Sequence, residues 1–220
     1  MKNLFDLFCR IDEYTEYIRK KGFEISENGL PVFTRDMFLD ETPELLIPVD
    51  HWKDRRIRDK KKTVIVFFCG DNAIYRRLDK LLAEIDIYRQ FMGVAGMDVT
   101  VTSDMDPEWQ RAILHLNHLA MAVLACSGIK IVLNSRAGGP GTESVFDHIP
   151  RGITVASGFL GCNSAYREND YSYISKMLKL IPNRILIYGS CNAKACKQFD
   201  MMGMSYKVFK DFRQLCKEVS

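Results

Sequence analysis

No run of apolar residues in this 220-residue chain approaches the roughly 18 that a membrane-spanning helix needs, so no transmembrane segment is expected. Cysteine pairs at metal-binding spacing are also missing. There is no CxxC, and none of the four histidines is spaced to complete a zinc site with the seven scattered cysteines. The cysteines (Cys9, Cys69, Cys126, Cys162, Cys191, Cys196 and Cys216) therefore read as reduced thiols in a cytosol. Asp6 and Arg10 come too early for the apolar core of a signal peptide. Charge of one sign is scarce: 31 basic against 28 acidic residues leave a formal +3, so any nucleic-acid contact has to be local. No Gly-Lys-Ser/Thr follows the glycine-rich stretch, which excludes a Walker A loop, and no GxGxxG opens a first strand-to-helix turn. Internal repeats and low-complexity segments are absent.

What the chain does have is patterning. Its length and 47% hydrophobic content suit a single domain over 1–220. Leu4, Leu7, Phe8, Ile11, Tyr14 and Ile18 form a helical stripe closed by Lys20, Lys21 and Gly22, a helical lead-in. Residues 23–62 carry Pro31, Pro43 and Pro48 and one short apolar run, Leu45–Val49. They read as a loop extension with one early strand. A basic run at 53–62, seven Lys or Arg against two Asp, reads either as a solvated loop or as a phosphate or partner contact.

From residue 63 to 210 short β-rich runs alternate with helix-length stretches. Strands are expected at 63–69, 98–102, 129–134, 153–157, 185–188 and 206–209. Helices are expected at 73–91, 107–127, 166–181 and about 191–199. The second helix has its start written out: Asp106 as N-cap, Pro107 at the first position and Glu108 in the first turn. The expected fold is α/β, a mainly parallel sheet of six or seven strands with crossover helices, as an open sheet or an incomplete barrel.

Ligands of such sheets bind at the carboxyl ends of the strands, so the polar residues just after each expected strand are the candidate site. They are Asp71, Asp104, Asn134, Arg136, Cys162, Tyr188 and Ser190. Asp71 and Asp104 are catalytic candidates, and together with Glu143 they could hold Mg²⁺ or else serve as helix caps. Arg136 could grip a phosphate while Asn134 orients it. Gly138, Gly139, Gly141 and Thr142 lie in the loop NSRAGGPGTES, where bare amides could meet an anion or glycine could serve a turn. Cys162 is a nucleophile only if a neighbour lowers its pKa. His115 and His118, at i and i+3, lack a third ligand. Tyr166, Tyr171 and Tyr173 could stack bases or simply pack.

Two resemblances attach to these residues. GGPGTE resembles the glycine-rich loop of the lysine-decarboxylase-like phosphoribohydrolases, with its Glu at a different offset. Over about 45–190 the chain resembles the bacterial and phage family catalogued as domain of unknown function 4417. The matching positions are Leu46-Ile47-Pro48, Phe67, Phe68, Asp71, Gly93, Asp98, Asp104, Met105, Asn117, Asn134 to Gly138, Ser144-Val145-Phe146, Ile149-Pro150, Gly158, Gly161, Cys162 and Tyr188-Gly189. Ala137 stands where that family carries Trp, and GGPGTE replaces a shorter acidic loop.

The resemblance implies a protein of phages or mobile elements in the bacterial cytoplasm and supplies no activity. Three readings follow: a site for a phosphorylated small ligand or nucleotide at the strand ends, a counter-defence protein binding a host factor through residues 1–62, or a nucleic-acid-processing protein using the run at 53–62.

Overall fold

Short apolar runs buried on both faces make parallel strands, and the described residues form seven strands, of which only the last has an exposed stretch, at Lys207 and Val208: β1 (Leu45–Pro48), β2 (Thr63–Phe67), β3 (Gly93–Met97), β4 (Ile131–Asn134), β5 (Thr154–Gly158), β6 (Arg184–Tyr188) and β7 (Tyr206–Phe209). The computed structural model describes residues 3–138, 141–158, 171–191 and 193–217, the side chains of 171–174 excepted. Every neighbouring pair is parallel and the spatial order is the sequence order, β1 to β7. The sheet curls into a nearly closed barrel.

Side chains alternate between its two faces. Leu46, Val64, Val66, Ala95, Val132, Ala156, Leu186 and Phe209 fill the interior, with Phe68 and Tyr188 above them, and Leu39 packs into the same cluster. Ile47, Ile65, Val94, Ile131, Leu133, Val155, Ile185 and Ile187 face outward into the helical layer. The helices are α1 (Leu4–Lys20), α2 (Asp71–Leu78), α3 (Ile85–Tyr88), α4 (Pro107–Cys126), α5 (Tyr171–Leu180), α6 (Ala193–Met201) and α7 (Phe212–Lys217).

The lead-in helix does not cap the barrel end. α1 lies on α4, burying Leu7, Tyr14 and Ile18, and the Tyr14 hydroxyl donates to the carbonyl of Leu78. α4 starts as its sequence requires, with Asp106 accepting from the amides of Glu108 and Trp109 and Pro107 following. It is buried on nearly all sides because the sheet covers one face and α1 another. His118 on α4 is 3% exposed between Phe33 and Phe146. Burial, and secondarily the charge of His115, push its pKa down to about 3. The imidazole is thus neutral in the fold but protonates near pH 6.5 once unfolded, so stability is full above pH 6.5 and falls as the pH drops towards 3. The expected slope is up to about 1.4 kcal/mol per pH unit. Urea unfolding at pH 7 and pH 5 should show wild type losing more than His118→Phe.

Three expectations are corrected. The second strand of the core is Gly93–Met97, not 98–102. Close packing decides this: a Cβ on Gly93 would sit 2.8 Å from the carbonyl oxygen of Lys130, and one on Gly96 2.7 Å from Met121 Sδ. The backbone contact at Gly93 admits only glycine and the one at Gly96 would need Met121 to shift, while Val99 and Val101 bury themselves from an extended loop. The helix expected over 73–91 breaks into α2, a short 3₁₀ turn at Leu82–Glu84, and α3.

The cysteines are not all reduced thiols. Cys191, just before α6, and Cys196, within it, form a disulfide, their Cα atoms standing 6.5 Å apart, within bridging reach. Cys9, Cys69, Cys126 and Cys216 take part in no disulfide. The terminal helix α7 was not foreseen.

Between β7 and β1 no backbone ladder forms among the described residues, and side chains span the seam. Lys207 Nζ donates to the carbonyl of Pro43 at 3.0 Å. Further up, His51 stacks on Phe212 with centroids 3.5 Å apart, and Arg56 lies over the same ring at 4.5 Å.

Candidate functional site

Parallel strands bring all their carboxyl ends to one mouth. After β3 comes Asp98, after β2 come Cys69 and Asp71, β4 ends in Asn134 with Ser135 and Arg136 following, and β6 ends in Tyr188. Asp98 organises one side. Its Oδ1 accepts from Arg136 Nε and from Asn134 Nδ2, both at 2.9 Å, and Asn134 Nδ2 also donates to the carbonyl of Met97 at 2.9 Å. The side chains of Asp98 and Arg136 are 15% and 27% exposed, so the pair is partly shielded from solvent. Anchoring through Nε orients the guanidinium, the group suited to gripping two oxygens of a carboxylate or phosphate.

Asp71 belongs to a second element of the mouth. It stands in the first turn of α2, where Gly70 is the N-cap, and its Oδ1 accepts from Thr100 N at 3.1 Å and Thr100 Oγ1 at 3.0 Å. It therefore ties the β2 loop to the β3 loop. Next to it, burial pushes the Cys69 thiol up to about 12, with the charges of Asp50 and Asp98 adding to the effect. A thiol held protonated in this way is no nucleophile at neutral pH. Asp50 in turn pairs with Arg77 at 3.3 Å, and Arg77 with Glu84 at 2.8 Å.

The floor of the mouth is aromatic. Phe68 and Tyr188 stack with centroids 5.6 Å apart, and Gly158 makes room for them, since a Cβ there would sit 2.7 Å from the Phe68 ring. The Tyr188 hydroxyl accepts from the amide of Phe212 at 2.9 Å, and burial pushes its pKa up to about 12.

Of the residues singled out from sequence, Asn134 and Arg136 come together on Asp98, and Asp71 lies on the neighbouring loops. Asp104 is exposed, its carboxylate hydrogen-bonded by Thr102, and nothing joins it to Asp71, Asp98 or Arg136 among the described residues. In the glycine-rich loop the Gly138 amide donates to Thr142 Oγ1 at 2.9 Å, while Gly141 takes a φ of 88°. Gly138 also packs tightly, as a Cβ would meet Gln110 and Val101. Ser190 is exposed after β6. Gly139, Gly161, Cys162 and Tyr166 lie outside the described residues, as do the side chains of Tyr171 and Tyr173. His115 contacts the carbonyl of Gly29 at 3.0 Å and His118 is core. Asn117, also on α4, is buried with an amide that has no hydrogen-bond partner. No group of three His, Cys, Asp or Glu side chains converges as a metal would require among the described residues.

The sequence does not single out Asp98 as a site residue because it falls at the first position of the expected strand 98–102, the end away from the mouth. Its position directly after a glycine-rich strand was the available signal.

A cavity of about 340 Å³ opens at the opposite end of the barrel, lined by Arg35, Asp36, Lys130 and Asn183 among others. Its polar groups are already engaged: Arg35 donates to the carbonyl of Gly152 at 2.9 Å, Asn183 to Asp40 at 2.9 Å, and Lys130 to the carbonyl of Asp36. The mouth, where loops converge on a charged array, is the better candidate.

Seven parallel strands in sequential order, curled into a nearly closed barrel with crossover helices, make this an α/β protein of barrel-like form, with an Asp–Arg–Asn array at the carboxyl ends of its strands. The chain belongs to the domain of unknown function family DUF4417, whose sequence model matches residues 26–213. No curated protein and no solved structure matches it significantly.

Proposed function

We propose that the chain binds a small phosphorylated ligand of nucleotide type at the mouth of the barrel. The observation behind this reading is Arg136, held by its Nε on Asp98 beside Asn134 at the carboxyl ends of the strands. A guanidinium oriented in advance recognises phosphate oxygens at low entropic cost. In this reading Asn134 orients the ligand and Asp71, on the adjoining loop, is the candidate base. Thr142, Tyr188 and Ser190 belong to the surrounding shell. The same reading takes the protein as a phage or mobile-element product acting in the bacterial cytoplasm.

Thermal unfolding in the presence of nucleotides, cyclic nucleotides, NAD-type compounds and sugar phosphates, each with and without Mg²⁺, tests it. A ligand at a hundredfold excess over its Kd adds about 2.7 kcal/mol, a rise of several degrees in Tm. The rise should vanish in Arg136→Ala. If no compound shifts wild type, the reading fails, and capture of a host protein by the surface of residues 1–62 becomes the one to pursue by pull-down.

A further inference from the structure

The basic run at 53–62 is split by the fold. Its second half is used internally: Lys60 donates to Gln90 at 2.7 Å, Lys61 to the carbonyl of Arg89 at 3.0 Å, and Lys62 pairs with Glu44 at 2.8 Å. The first half meets the other end of the chain. Arg56 lies over the Phe212 ring at 4.5 Å and reaches Cys216 Sγ at 3.1 Å, while His51 stacks on that same ring. These contacts set α7 beside residues 51–58, across the seam between β7 and β1.

The charge gathered there is large. Residues 51–58 hold four cations and one acid, and residues 210–217 hold three cations and one acid. That is a local +5 on a chain whose total is only +3, so the rest of the protein is net acidic. The one acid of the first segment, Asp54, is occupied by Arg56, through Nε at 2.7 Å and a terminal nitrogen at 2.8 Å. Lys53, Arg55, Arg58, Arg213 and Lys217 are all exposed. Arg213 and Lys217, at i and i+4, share one side of α7. Half-buried Trp52 stands at the foot of the patch, with Lys53 Nζ 4.6 Å from its ring centre.

We infer that residues 51–58 and α7 together form a binding surface for the phosphate backbone of a nucleic acid, distinct from Arg136 and its ligand. Clustered, solvated guanidinium and ammonium groups beside an aromatic ring are what a flexible phosphodiester chain engages. Neither segment suffices alone, since each supplies only part of the charge. The two are joined through Phe212.

Fluorescence anisotropy with a labelled single strand of about 20 nucleotides and with its duplex, from about 50 to about 200 mM salt, tests the inference. Saturable binding that weakens steeply with salt is expected, and the tighter probe identifies the form recognised. Arg55→Glu/Arg58→Glu and Arg213→Glu/Lys217→Glu should each weaken it by about tenfold or more and flatten the dependence of log K on log salt. Circular dichroism and melting curves establish that both variants fold. Arg136→Ala should bind as wild type does, which separates this surface from the mouth. Absence of saturable binding at low salt, or an affinity that survives charge reversal in either segment, overturns it.

Discussion

Tyr188→Ala should lower the unfolding free energy by about 3–5 kcal/mol, the range for deleting a large buried aromatic side chain. Tyr188→Phe should lose only about 1 kcal/mol, the net worth of one hydrogen bond. The ring is fully buried, stacks on Phe68 and closes the barrel interior, and its hydroxyl holds the start of α7 by accepting from the amide of Phe212. Chemical denaturation of the two variants measures both terms. A Tyr188→Ala protein as stable as wild type would mean that the aromatic layer is not part of the core, and the mouth would then lack its floor.

Asp98→Ala should cost about 2 kcal/mol, because Arg136 and Asn134 both lose the oxygen they share. The size follows from leaving one charged and one amide donor unanswered at a partly shielded position, short of the larger penalty of a fully buried ion pair. A double-mutant cycle with Arg136→Ala should give a coupling of about 1 kcal/mol or more, since each variant removes the same contact. Any thermal shift produced by a ligand at the mouth should be lost in Asp98→Ala, because the guanidinium would no longer be held in one orientation. Additive effects in the cycle would mean that Asp98 does not position Arg136.

The fold was largely legible, for reasons particular residues make clear. Val64 to Phe67, Ile131 to Leu133 and Ile185 to Ile187 are short aliphatic runs separated by helix-length stretches. Parallel strands satisfy that pattern by burying both faces. The cap of α4 was legible because Asp106, Pro107 and Glu108 act locally.

What escaped depends on distant partners. The expected β3 lies five residues too late because the alternation of Val99, Thr100 and Val101 is the stronger local signal, whereas Gly93 is required by the backbone of Lys130 and Gly96 packs against Met121, which lie 25 or more positions away in the chain. That error carried the site with it, from Asp98 to Asp104. Asn134 and Arg136 are legible because the expected strand 129–134 ends where β4 ends, although it starts two residues too early. The pairing of Cys191 with Cys196 depends on the three-dimensional distance between their Cα atoms, which a CxxxxC spacing alone does not reveal. The union of residues 51–58 with α7 joins positions some 160 apart and leaves no sequence signature.

The seam between β7 and β1 has a consequence for how the chain acquires its shape. Each strand pairs only with its neighbour in the sequence, so six ladders can grow in the order of synthesis with modest loop-closure cost. The contacts that meet across the seam, Pro43 with Lys207 and Arg56 with Cys216, span 164 and 160 residues. They cannot form until Lys207 and Cys216 have emerged. Closure of the barrel is then a late step made by side chains alone, and the amides of β1 and β7 that face the seam should be among the first strand amides to exchange with solvent in the folded protein.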